Sequence, residues 1–198
     1  MMKKLFCFIL VLLIFSSAYA GSGPGKNAKG MFFAISVGPR FPLGTFGNTS
    51  KIGYGINAEL SYANNEILPF FIFLRSGFET YPGSQDFYQI SNYSNFSTNL
   101  IPINFGIRYY LPPLVKSQVL LMPIIEISGS YGLFHTLHQF KIPSNINDFS
   151  ENKSKFGFSA GIGFSAFLVE VLASYNYFAS NQFVSLNMKV RFPIYINY

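Results

Sequence analysis

Over its last fifteen residues the chain is apolar at every second position. Val184, Leu186, Met188, Val190, Phe192, Ile194, Ile196 and Tyr198 alternate with Ser185, Asn187, Lys189, Arg191, Pro193, Tyr195 and Asn197. Successive side chains of a β-strand point to opposite faces. The segment therefore reads as a strand with one oily face and one face carrying two full charges. Seven more segments alternate in the same way, over about 31–38, 54–63, 67–81, 99–111, 118–134, 155–167 and 170–178. One face of each is bulky, as in Tyr54, Ile56, Leu60 and Tyr62, or Ile101, Ile103, Phe105 and Ile107. The other is small or charged, as in Gly55, Asn57, Glu59 and Ser61, or Asn104, Gly106 and Arg108.

The links alternate too. Residues 39–53, 82–98 and 135–154 are long, and 179–182 is a weaker, polar case; 64–66, 112–117 and the turn near 168–169 are short. An even number of strands joined this way predicts an all-β, eight-stranded antiparallel up-and-down β-barrel. Both termini fall at the short-link end.

Two barrels fit that pattern, and they differ in which face is inside. Eight strands enclose just enough room for side chains to fill. The Phe, Ile and Leu of the bulky faces would overfill it, whereas Gly, Ser and a few long charged chains fit. The oily faces then point outward, where water would not tolerate them and lipid requires them. A closed barrel also leaves no backbone group unpaired, as hydrocarbon demands. The reading is a transmembrane β-barrel. Composition agrees: 49% of residues are hydrophobic, 19% aromatic and 11% charged, against roughly 25% charged in an average soluble domain. Tyr54, Tyr62, Tyr109, Tyr131, Tyr175, Tyr177 and Tyr198 fall near strand ends, as interfacial girdles do.

The first twenty residues read as a cleavable signal peptide. Lys3 and Lys4 precede an apolar run over 5–15, and Ala18-Tyr19-Ala20 supplies an A-x-A cleavage site. The expected organisation is signal peptide 1–20, flexible leader 21–30 and barrel 31–198. Cys7, the sole cysteine, lies in the signal, so the mature chain is expected to hold no disulfide or thiolate metal site. Without Lys3 and Lys4, 12 basic and 8 acidic residues remain, a net +4 too scattered for nucleic acid.

Signal peptide, alternating strands, long and short links in turn, and an aromatic final strand together resemble the small OmpA/OmpX-like outer-membrane β-barrel family over the whole mature chain. The resemblance implies a bacterial outer-membrane location, outer-membrane lipid as surroundings, and a monomer without a periplasmic domain. It further implies that Phe192 and Tyr198 form the C-terminal signal read by the barrel-assembly machinery, although Tyr198 stands where the family more often has Phe and Pro193 interrupts the strand.

The inward positions hold Glu59, Glu79 and Glu126 against Arg75, Arg108, Lys189 and Arg191. Buried charges must be paired. An internal salt-bridge network centred on Glu59, Glu126, Arg108 and Arg191 is expected, filling the lumen. The same charges would alternatively line a narrow ion channel. Gly157, Gly161 and Gly163 read as a lumen-facing small-residue stripe.

Chemistry is sparse. His135 and His138 open the longest link, and an outer-membrane lipid hydrolase, lipid A deacylase-like, would need them beside a serine and a carboxylate such as Ser130, Ser144 or Asp148. No spacing singles these out, and a His-x-x-His metal site lacks further ligands. No cofactor is expected. The leading expectation is a non-enzymatic barrel whose links 82–98 and 135–154, with Tyr88, Tyr93, Phe96, Phe140 and Phe149, form contact surfaces for an extracellular ligand or partner. A soluble, secreted lipocalin-like binder is the remaining alternative.

Overall fold

A computed structural model describes residues 29–64, 68–113, 121–142 and 146–197. The expected signal peptide, all of the leader before Lys29, and Tyr198 lie outside the described residues. Eight antiparallel strands follow one another around a closed barrel: β1 (Lys29–Leu43), β2 (Gly53–Asn64), β3 (Leu68–Pro82), β4 (Tyr93–Tyr110), β5 (Leu121–Phe140), β6 (Phe149–Ala166), β7 (Val169–Phe178) and β8 (Gln182–Asn197). Strand β8 pairs back onto β1, so the sheet has no edge. Two short helices, α1 (Gly44–Thr49) and α2 (Gln85–Ile90), lie in the β1–β2 and β3–β4 links.

The faces fall as the alternation dictates. Ile56 is 54% exposed, Phe105 63% and Ile162 69%, all on the outside. Glu59 is 3% exposed, Arg108 0% and Lys189 1%, all inside. A water-soluble barrel has the reverse arrangement, which removes the lipocalin-like alternative.

Strand pairing fixes the tilt. From Gly30 the partners run to Ala63, Phe71, Arg108, Glu126, Gly161, Ser174 and Ser185, and return to β1 at Arg40, ten residues further on. Strands in a closed barrel must be staggered in this way, and the stagger sets their slope. Residues distant in sequence thereby come level inside the lumen.

Three expectations need correction. First, the strands are longer than the apolar alternation. Most of the 135–154 link is a continuation of the β5–β6 hairpin, and β4 begins at Tyr93 within the 82–98 link. The extension pairs Ser97 with Leu137 and Thr98 with Thr136. Beyond the oily band neither face must be apolar, so the period fades while the backbone ladder continues. Second, β1 runs to Leu43 through Pro39 and Pro42, residues that in sequence signal a link. Third, β8 slips register against β1. Phe32 pairs with Pro193 but Met31 with Tyr195, leaving Ile194 as an extra residue. Proline has no N–H to give the ladder, and the bulge shifts the alternation. Tyr195, expected inside, is outward and 56% exposed.

Candidate functional site

The lumen is filled in layers. Nearest the chain termini is a charged layer with Glu59 on β2 at its hub. Arg75 reaches Glu59 through Nε and Nη2 at 2.9 and 2.7 Å, and Arg108 through Nη1 and Nη2 at 2.7 and 2.8 Å. Lys189 Nζ adds a third contact at 2.8 Å, and Arg191 Nη2 lies 3.5 Å away. Glu126 accepts from Arg75 Nη2 at 2.6 Å and from Arg108 Nε at 2.8 Å. The guanidiniums of Arg75 and Arg108 both lie over the Phe73 ring, at 4.8 and 4.9 Å. Six of the seven expected lumen charges thus meet in one network.

Glu79 does not join them. It lies four residues beyond Arg75 on β3, two inward steps towards the far end, and there accepts from Arg40 Nε at 2.7 Å and the Tyr81 hydroxyl at 2.6 Å. Gly55 makes room for this pair, since a Cβ there would come within 2.6 Å of the Arg40 guanidinium. The sequence reading missed Arg40 because Pro39 and Pro42 placed it in a link. It also missed Glu170, which accepts from the Tyr110 hydroxyl at 2.6 Å and from Arg191 Nη2. Strand parity with Ser174 was the signal for Glu170.

Level with Arg40 and beyond it sits an aromatic plug of Phe46, Tyr81, Leu100, Phe134, Phe178 and Phe183, all buried. Helix α1 lowers Phe46 onto Tyr81, with ring centroids 4.8 Å apart, and Tyr81 meets Phe183 edge-on at 5.5 Å. The inner face is expected to hold only small and charged residues, so the plug is a further correction. Tyr81, Phe178 and Phe183 lie at strand ends, Leu100 and Phe134 come from within β4 and β5, and Phe46 comes from α1.

Outside the plug, the far-end extension gathers all five aromatic residues expected at a contact surface. Tyr93 packs on Phe140 at 4.6 Å and on Phe96 at 5.8 Å, while Phe149 lies 6.1 Å from Phe140. The Tyr88 hydroxyl donates to the Phe96 carbonyl and accepts from its N–H, both at 2.9 Å. His138 stacks on Phe149 at 4.3 Å, and its Nδ1 is 3.2 Å from the Tyr93 hydroxyl. Burial among these rings pushes the His138 pKa below its ordinary value. At the opposite edge of the extension, Lys51 holds the Asp86 carboxyl below the usual range through a 2.9 Å hydrogen bond.

The histidines lie on β5, not in a loop, and the strand separates them. An odd spacing puts them on opposite faces. His135 points outward, with Nδ1 2.7 Å from Asn152 Oδ1, while His138 points in. Ser130 is bound to Asn104 in the lumen, Asp148 accepts from the Phe140 N–H, and Ser144 lies outside the described residues. A Ser-His-acid array is therefore not assembled among the described residues, nor is any group of three His, Cys, Asp or Glu placed to hold a metal ion.

No protein-family profile matches the chain, and no curated protein matches it. Solved structures do resemble it. One is Ail, the attachment invasion locus protein of Yersinia pestis, in complex with the heparin analogue sucrose octasulfate, at 13% identity and a TM-score of 0.47 over 85% of this chain and 100% of that one. Another is Neisserial surface protein A, at 13% identity and a TM-score of 0.46 over 83% and 97%. Ail in a phospholipid bilayer nanodisc gives 16% and 0.45 over 82% and 99%. At this distance the likeness adds nothing to the barrel established by strand pairing.

Proposed function

We propose that the chain is an integral barrel of a bacterial outer membrane, non-enzymatic and non-conducting, which presents its far-end extension as a surface for an extracellular partner. One observation carries the reading: a continuous apolar outside around a lumen closed by paired charge and aromatic packing. That inversion of inside and outside has a use only in lipid. The short links and termini would face the periplasm, and the long β4–β5–β6 extension would stand above the membrane. Outward-facing Phe192, with Tyr198, would be read by the barrel-assembly machinery, and the folded chain would be a monomer.

Fractionation with heat-modifiable gel mobility tests the membrane part. The protein is expected in the outer-membrane fraction and to migrate faster before boiling than after. Recovery in the soluble fraction would overturn it. Planar-bilayer recordings test the closed lumen, with a flat baseline expected; sustained ohmic current would restore the narrow-channel alternative.

A further inference from the structure

At the end bearing the termini the lumen opens as a cup of about 450 Å³. Its wall is apolar, with Phe32, Phe71, Met122, Leu168, Pro193 and Ile196. Its floor is the underside of the charged layer: Arg191, Glu170 and Tyr110. An oily cup ending on a buried cation is a specific kind of container.

Arg191 is 8% exposed. Phe32, Phe71 and Tyr110 surround its guanidinium, with ring centroids 5.9, 5.3 and 5.4 Å from the central carbon. Its Nη atoms engage Tyr110, Glu170 and Glu59, but its buried Nε has no acceptor. An unmet buried donor destabilises the site that holds it. The charge balance points the same way. The layer holds four cations, Arg75, Arg108, Lys189 and Arg191, against three carboxylates, Glu59, Glu126 and Glu170. Glu79 is occupied by Arg40, and Asp86, Asp148 and Glu151 belong to the far end. By formal charge the described layer thus has one more basic group than it has carboxylates, and Arg191 is the basic group that lines the cup.

We infer that the cup binds a single-chain amphiphilic carboxylate, a fatty acid, with its headgroup against Arg191 and its chain along the apolar wall towards the mouth. One carboxylate cancels the surplus charge. A phosphate monoester, at about −1.5 to −2, would overshoot it, and an alcohol would leave it. The site is a property of the barrel interior and goes beyond the surface role proposed above.

The test uses the full-length mature protein folded in dodecyl maltoside, titrated with dodecanoate carrying ¹³C at the carboxyl. A shifted carboxyl resonance is expected to saturate at one per chain. Arg191→Gln should weaken binding by about tenfold or more, the loss of a charge-assisted hydrogen bond. Met122→Trp, which fills the cup and leaves the charged layer intact, should abolish the resonance while heat-modifiable mobility stays unchanged. Dodecanol should not displace the acid. Equal binding by either variant, displacement by dodecanol, or no saturable resonance would each overturn the inference. If Arg191→Gln fails to fold, Met122→Trp decides alone. Binding is read on folded protein in detergent, so its failure leaves the membrane reading, which fractionation tests, standing.

Discussion

Glu59 stands among four basic side chains within 3.5 Å, in a layer whose members are all less than a tenth exposed. Removing one partner of a buried ion pair leaves uncompensated charge at about 3–5 kcal/mol. Glu59→Gln is therefore expected to lower barrel stability by that amount, read from the urea midpoint in lipid vesicles. Glu79→Gln strands Arg40 in a separate cluster. The two clusters share no partner, so the double variant should be additive to within about 0.5 kcal/mol; a larger coupling would show that the layers communicate. His138 gives the residue scale its pH dependence. Its folded pKa lies below the ordinary 6.5 because burial disfavours the cation, with Glu151 opposing and Lys153 assisting. The folded extension therefore prefers the neutral ring, and its stability is full above about pH 6.5 and falls as the medium is acidified. Amide protection around Tyr93 and Phe149 should drop from about pH 7 to about pH 5 in the native protein, and remain level in His138→Phe.

At the scale of the element, period-two alternation located all eight strands and assigned Lys189 and Arg191 to the lumen. It failed where its physical cause stops. Above the oily band nothing enforces an apolar face, so the β5–β6 extension is legible only through its backbone pairing. At Pro193 the alternation continues on paper while the bulge turns the chain, which misassigned Tyr195. The glycine stripe on β6 was legible and has a steric basis. A Cβ on Gly163 would come within 2.1 Å of the Val171 carbonyl oxygen on β7. Gly163→Ala must push two strands apart and is expected to cost about 1–3 kcal/mol, again by urea unfolding. The β7–β8 turn offers the opposite change. Ser180 holds a φ of 65°, a region that disfavours side chains. Ser180→Gly should therefore stabilise the barrel by about 1 kcal/mol, and a lowered midpoint would show that its side chain contributes more than its backbone costs.

For the whole molecule, the charged layer and the aromatic plug close one lumen in series. The charges were readable because ionised residues stand out on an inward face. The plug was not, because convergence of Phe134, Phe178 and Phe183 depends on the stagger between strands, which no single strand reveals. Closure in series makes a prediction about transport. The triple variant Phe134→Ala, Phe178→Ala, Phe183→Ala should still show a flat baseline in planar bilayers, since the charged layer remains; an ohmic current would mean that the plug alone seals the barrel.

The ten-residue stagger has one more consequence. Ten is even, and so inside remains inside after a full circuit of the sheet. An odd offset would bring an inward residue back as an outward one, and the two-sided pattern could not close on itself. Single-residue insertions or deletions within a strand that no bulge absorbs therefore turn the residues beyond them to the wrong face, whatever side chain is involved. Such changes are accommodated in pairs, in the links, or by a bulge near a strand end, where the extra residue beside Pro193 is found.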